Sequence, residues 1–186
     1  TPAPGTCDRC PAAIALGQII IRVLSSTKTG GRRRITGAAG RAPNIIRSLY
    51  LVVEELEQVN LRLQAKYRTI AAEEVRVEER MTGDCDILLV AYGSSARACK
   101  GALTEARRRG HKVGLLRPVT LWPFPATRLR ELAAQVKTML VVEMSSGQLI
   151  EDVQLAAGDR CDVLLENRLG GFVPAQRDIL KRIEAL

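Results

Sequence analysis

The residues of this sequence with the most chemical potential stand directly after short apolar runs. Gly93, Ser94 and Ser95 follow ILLVAY, Arg117 and Pro118 follow VGLL, the segment Glu143-Met144-Ser145-Ser146-Gly147 follows MLVV, and Asn167-Arg168-Leu169-Gly170-Gly171 follows VLLE. A glycine and two serines at a helix start can hold an anion on free backbone N–H groups. This triplet has neither the GxGxxG nor the GxxxxGK[ST] spacing, so taken alone it reads first as a tight strand-to-helix turn. Glu143 is either a catalytic acid or the partner of Arg117 or Arg168 across a sheet edge. The ion pair is favoured, because paired charges are often structural. The single histidine, His111, falls between a helix end and a strand and reads as a polar turn residue. No nucleophile and base pair emerges, and no catalytic residue is assigned.

The segment LLRPVTLWPFP places Arg117 at a strand end and interleaves Trp122 and Phe124 with Pro123 and Pro125. Prolines stiffen such a loop, and an arginine beside aromatics suits a protein interface. Packing of the tryptophan beneath the following helix suits the same residues equally well.

Five cysteines, at 7, 10, 85, 99 and 161, are scattered. Cys7 and Cys10 form one CxxC, and structural zinc needs four ligands, commonly two such pairs. No metal site is assigned. Cys99 falls on the apolar stripe of a helix and Cys161 at a strand edge, where cysteine behaves as a small hydrophobe. Disulfides are not expected in a cytosolic chain.

The elements that must position these residues follow from periodicity. Leu56, Val59, Leu63, Tyr67 and Ile70 recur at steps of three and four, with Glu54, Glu55 and Glu57 in the first turn; this predicts a helix of about five turns beginning at Val53. Val75 and Val77 alternate with charged residues and predict a half-exposed edge strand. Four strand-loop-helix units follow. Their strands are Ile87 to Tyr92, Val113 to Leu116, Met139 to Val142 and Val163 to Leu165. Their helices bear the stripes Cys99, Ala102, Leu103 and Ala106; Leu129, Leu132, Ala133 and Val136; Leu149, Ile150, Val153 and Ala157; and Ile179, Leu180 and Ile183, the last helix opened by Pro174. Strands apolar on both faces and alternating with helices predict a three-layer α/β/α sandwich. Its sheet of about five strands is mostly parallel, with one antiparallel edge strand. The loops at the carboxyl ends of the strands then share one edge, where ligands and partners sit. That edge collects Gly93, Ser94, Ser95, Arg117, Trp122, Glu143, Ser145, Gly147, Arg168, Gly170 and Gly171 as candidate ligand or interface residues.

Composition limits the alternatives. The chain of 186 residues is 46% hydrophobic, enough for one packed core. The run Ile14 to Leu24 is interrupted by Gln18 and Arg22 and is about half the roughly 20 residues of a membrane span. It follows three prolines and lacks a small-residue cleavage pattern, so it is not read as a secretory signal; the expectation is a truncated chain in the cytoplasm, away from membranes. Residues 1–50 carry a net +7 of the formal +8. Arg32, Arg33 and Arg34 have no aromatic among them to stack on bases, so they read as a solvated tail and no nucleic-acid partner is assigned. Residues 1–43 are rich in Gly and Arg without a clean period and read as a flexible linker and remnant of a preceding domain; 44–186 form the α/β domain.

The runs DILLVAYGSSARACKGALTEARRRGHKVGLLRPVTLWPFP, LVVEMSSGQLIEDVQLA and RLGGFVP together resemble the alpha subunit of 2-oxoacid:ferredoxin oxidoreductases. SLYLVVEELEQVNLRLQAKY is similar to the branch acting on branched-chain 2-oxoacids, 3-methyl-2-oxobutanoate dehydrogenase (ferredoxin). The resemblance covers about Asn44 to Leu186, and ALGQII resembles the end of the preceding domain. It implies a transketolase C-terminal-like domain within an enzyme that decarboxylates a 2-oxoacid on thiamine diphosphate, reduces ferredoxin and releases an acyl-CoA. It further implies that thiamine diphosphate and Mg²⁺ are held by a beta subunit and iron-sulfur clusters by a ferredoxin-like delta subunit, with a gamma subunit completing the assembly. CoA enters the assembled enzyme. This chain then binds no cofactor alone and is inactive in isolation. The substrate stays open among branched-chain 2-oxoacids, 2-oxoglutarate and pyruvate. A free-standing docking or regulatory module of the same fold is the alternative.

Overall fold

The structure, a computed structural model, describes Gly40 and residues 49–186. The expectations for Cys7 and Cys10, for Arg32, Arg33 and Arg34, and for a flexible segment over 1–43 lie outside the described residues, Gly40 apart. The chain divides into two compact units, Thr1–Glu74 and Val75–Leu186.

In the first unit, helix α1 spans Val53–Glu73. Its 21 residues give about 31 Å of length. Glu54 and Glu55 stand in the first turn, where unpaired N–H groups favour negative charge. Ile70 is buried, Val59 and Leu63 are half-buried, and Leu56 and Tyr67 are exposed. Among the described residues no helix is long and apolar enough to cross a membrane.

The second unit runs β1 (Val77–Arg80), β2 (Ile87–Val90), α2 (Gly93–Arg108), β3 (Val113–Pro118), α3 (Ala126–Ala133), β4 (Thr138–Glu143), α4 (Gln148–Ala157), a short 3-10 turn (Gly158–Arg160), β5 (Asp162–Asn167) and α5 (Gln176–Glu184). The five strands form one sheet in the order β1-β3-β2-β4-β5. β2, β3, β4 and β5 are parallel, and β1 pairs antiparallel with β3 at the edge, as the alternation around Val77 predicts.

Strand residues alternate between two cores because successive side chains leave opposite faces. Leu88, Val90, Leu116, Met139 and Val141 pack under α3 and α4 with Leu129, Leu132, Leu149 and Val153. Leu89, Leu115, Leu140 and Val142 pack under α2 and α5 with Ala96, Cys99, Leu103, Ile179 and Ile183. A fully buried leucine contributes about 1.5–3 kcal/mol of transfer free energy, so these two layers hold the sheet. The sandwich therefore has α2 and α5 on one face and α3 and α4 on the other. Because β3 and β4 lie on opposite sides of β2, the winding direction reverses between β2 and β4.

The polar edge strand is held by ions on both faces. Lys100 on α2 and Arg117 on β3 each donate to Glu78 at 2.8 Å. Arg128 on α3 donates to Glu79 at 2.6 Å. Several boundaries differ from the periodicity reading: β4 and β5 run on through Glu143 and Asn167, and Val136 lies beyond the end of α3. β3 continues through Arg117 and Pro118 because these pair with Glu78 and Val77. Tyr92 leaves the strand and becomes the residue preceding α2, so Gly93 and both serines form that helix's first turn. α5 begins at Gln176 rather than at Pro174, with Ala175 in extended backbone before it.

Candidate functional site

At the reversal point the ends of β2 and β4 diverge and leave a cleft of about 140 Å³, lined by Tyr92, Gly93, Ser94, Ser95, Glu143, Met144 and Ser145. Five of the residues expected at the strand-end edge meet here: Gly93, Ser94, Ser95, Glu143 and Ser145. One wall is the amino end of α2, which has no side-chain cap and no acid in its first turn.

The other wall is built around Glu143, only 2% exposed. The backbone N–H groups of Leu149 and Ile150 donate to its carboxylate at 3.0 and 3.4 Å, and the Ser145 hydroxyl donates a short hydrogen bond to Oε2. Glu143 thus caps α4 from the strand that precedes it, meeting amides that have no partner inside the helix. The turn between them depends on Gly147, whose φ of 116° is a backbone region that side-chain-bearing residues avoid. Asn167 ties the same turn to β5 by donating to the Ser145 carbonyl at 2.7 Å.

The expected ion pair of Glu143 with Arg117 or Arg168 is not formed. Arg117 lies on β3, separated from β4 by β2 and so by roughly 9.6 Å, and its guanidinium is taken by Glu78. Arg168 donates its backbone N–H to the Glu143 carbonyl at 3.2 Å. Its guanidinium lies 5.4 Å from the ring centre of Phe172, a cation–π contact. Gly170 and Gly171 belong to the loop that carries Phe172, beyond β5.

The proline-rich loop after β3 divides its aromatics. Phe124 packs against the core under α3, while Trp122 remains 58% exposed. Beyond β5, Leu169, Phe172 and Val173 are also exposed, Phe172 to 65%. Tyr92 and Met144 expose part of their side chains between these two loops in strand order. Periodicity missed Tyr92 and Met144 as cleft residues, since an apolar side chain at a strand end reads as core. Phe172 had a usable signal, an aromatic placed two residues beyond a glycine pair's start.

Burial pushes the Cys99 thiol up to about 12, and it pushes the Cys85 and Cys161 thiols up as well. Among the described residues no three His, Cys, Asp or Glu side chains come together to hold a metal ion.

Comparison with known proteins agrees with this architecture. The family model of pyruvate:ferredoxin oxidoreductase core domain II matches residues 85–179, half of the chain. The chain is 49% identical over 152 residues to the ketoisovalerate oxidoreductase subunit VorB of Methanothermobacter marburgensis, covering 82% of this chain and 43% of that protein. It is 37% identical over 109 residues to the 2-oxoglutarate synthase subunit KorA of the same organism, covering 59% of this chain and 29% of that protein. The chain thus spans less than half the length of these curated relatives. Among solved structures, the 2-oxoglutarate:ferredoxin oxidoreductase from Magnetococcus marinus superimposes with a TM-score of 0.64 at 20% identity, over 73% of this chain and 24% of that one. That likeness speaks for the fold. With half the chain matched by the family model, the chain belongs to the pyruvate:ferredoxin oxidoreductase core domain II family.

Proposed function

We propose that the chain forms part of the alpha subunit of a 2-oxoacid:ferredoxin oxidoreductase, in which the α/β unit serves assembly through its strand-end edge. The observation that carries this reading is the row of exposed apolar side chains there. Trp122 and Phe172 stand on loops beyond β3 and β5, with Tyr92 and Met144 on the strand ends between them. Exposed aromatics with arginine nearby are the composition of an interface core. Arg168, stacked on Phe172, belongs to the same surface. Arg117 joins it when a partner carboxylate or phosphate replaces Glu78 on its guanidinium.

The higher identity to a ketoisovalerate oxidoreductase subunit supports a branched-chain 2-oxoacid as substrate of the assembled enzyme. In this reading thiamine diphosphate, Mg²⁺, iron-sulfur clusters and CoA are held with the beta, gamma and delta subunits, and ferredoxin accepts the electrons. The described residues do not fit a cluster or a metal. Cys85 and Cys99 lie on opposite faces of the sheet, and Cys161 packs beside β5, so their thiols do not converge.

Co-expression with thiamine-binding and cluster-bearing subunits of a 2-oxoacid:ferredoxin oxidoreductase tests the proposal. The chain should co-purify with thiamine-binding and cluster-bearing subunits. Trp122→Ala should weaken that association by about thirtyfold with an unchanged melting temperature. Failure to co-purify would favour a free-standing module, and a melting loss in Trp122→Ala would return that residue to the core.

A further inference from the structure

Ser95 lines the cleft between β2 and β4 and is only 4% exposed, yet its hydroxyl has no hydrogen-bond partner among the described residues. Every side-chain nitrogen or oxygen wholly shut off from solvent among those residues does have one. The Ser95 hydroxyl is therefore not wholly shut off from solvent: its residue lines the cleft, where the hydroxyl stays free to pair with a bound group. It stands in the first turn of the 16-residue helix α2. The first hydrogen bond of that helix runs from the Ala96 N–H to the Tyr92 carbonyl at 3.2 Å. The N–H groups of Gly93, Ser94 and Ser95 precede it and have no carbonyl within the helix.

We propose that this cleft binds a small oxyanion that still carries a proton: hydrogen phosphate, or the singly protonated phosphate end of a phosphomonoester. The α2 wall offers donors and the positive end of a helix, which call for acceptor oxygens with negative charge. The facing wall is the Glu143 carboxylate, which repels a fully ionised group and accepts from an O–H. Its Oε1 receives only the long contact from Ile150 at 3.4 Å and keeps acceptor capacity. A ligand that accepts on one side and donates on the other meets both walls. Sulfate matches phosphate in shape but carries no proton at neutral pH, so it meets only one. A volume of about 140 Å³ suits a group of this size and excludes a whole nucleotide.

The full 186-residue chain is titrated at about pH 6, where phosphate and a substantial share of a phosphomonoester keep a proton and sulfate has none, with sodium phosphate, sodium sulfate and glycerol 3-phosphate at matched ionic strength, following the backbone amide resonances of Gly93, Ser94 and Ser95. Phosphate should shift these three amides saturably, and sulfate should bind at least about tenfold more weakly. Ser95→Ala should lower phosphate affinity by about tenfold with the melting temperature retained, because the hydroxyl has no partner within the fold. Glycerol 3-phosphate binding as well as phosphate or better identifies a phosphomonoester as the source; phosphate binding alone identifies the free ion. Absence of saturable shifts, equal affinity for sulfate, or unchanged affinity in Ser95→Ala would overturn the site. Should Ser95→Ala fail to fold, the phosphate-to-sulfate ratio of the native chain decides. These measurements read the chain by itself and stand apart from the assembly proposal.

Discussion

Glu143 and Leu149 are joined across the turn between β4 and α4: the Leu149 backbone N–H donates to Glu143 Oε2 at 3.0 Å, from six positions further along the chain. Removing this carboxylate leaves two helix amides and the Ser145 hydroxyl without an acceptor. Glu143→Ala should therefore cost about 1–3 kcal/mol, read as a lower urea midpoint with unchanged slope. Glu143→Gln keeps one oxygen in place and should lose less. An Ala variant with the native midpoint would show that water caps the helix equally well.

Glu78 ties the edge strand to its neighbours in a pH-dependent way. Hydrogen bonds from Lys100, then Arg117, then Arg80 lower its carboxyl from the ordinary 4.5 to about 2. A folded-state value below the unfolded one means the stabilisation is complete above about pH 4.5. It is lost as pH falls toward 2 and the carboxylate takes a proton. The stability difference between the native chain and Glu78→Gln should be largest above pH 4.5 and shrink toward nothing near pH 2. A difference that stays constant through that window would mean the cluster does not hold the strand.

Gly114 on β3 has no room for a side chain. A Cβ there would lie 2.8 Å from Cys85 Sγ and 2.9 Å from the Met81 carbonyl, which also accepts from Arg107 at 2.9 Å. Gly114→Ala should destabilise by about 1–3 kcal/mol, as overpacking does. Gly83→Ala, with nothing within 4 Å of the added carbon, is the matched control. Equal melting temperatures for the two variants would show that the β1–β2 connection yields freely.

The thiols should react in order of access. Cys161 is half-exposed, Cys85 is buried, and Cys99 is fully enclosed with its thiol pushed up to about 12. Brief alkylation of the native chain at pH 8 should label Cys161 ahead of Cys85, and Cys99 only after unfolding. Peptide mass spectrometry reads this order. Early label on Cys99 would reveal local opening of α2.

What periodicity shows and what it hides separate cleanly along this chain. Apolar stripes such as Cys99, Ala102, Leu103 and Ala106 are visible because a helix repeats its core face every three to four residues; all four are buried. The edge position of the charged strand is visible for the same reason. Partner choice is hidden. Arg117 meets Glu78 from 39 positions away, and the pairing follows from strand order, which no local pattern encodes. Glu143 turned to amides because the polypeptide folds back on itself at Gly147. The split between buried Phe124 and exposed Trp122 depends on how one loop settles on α3, and the residue types alone fit either order.

One layer of the sandwich is made from distant stretches of chain. α5 covers the alanine-rich face of α2, and Arg109 is tied to Glu184 at 2.6 Å across 75 positions. As the polypeptide emerges from the ribosome, the opposite layer of α3 and α4 can close while that alanine face still lies bare to water. The nascent chain therefore stays open to chaperones, or to a sister chain docking its own α5, until residues 176–184 arrive to complete the layer.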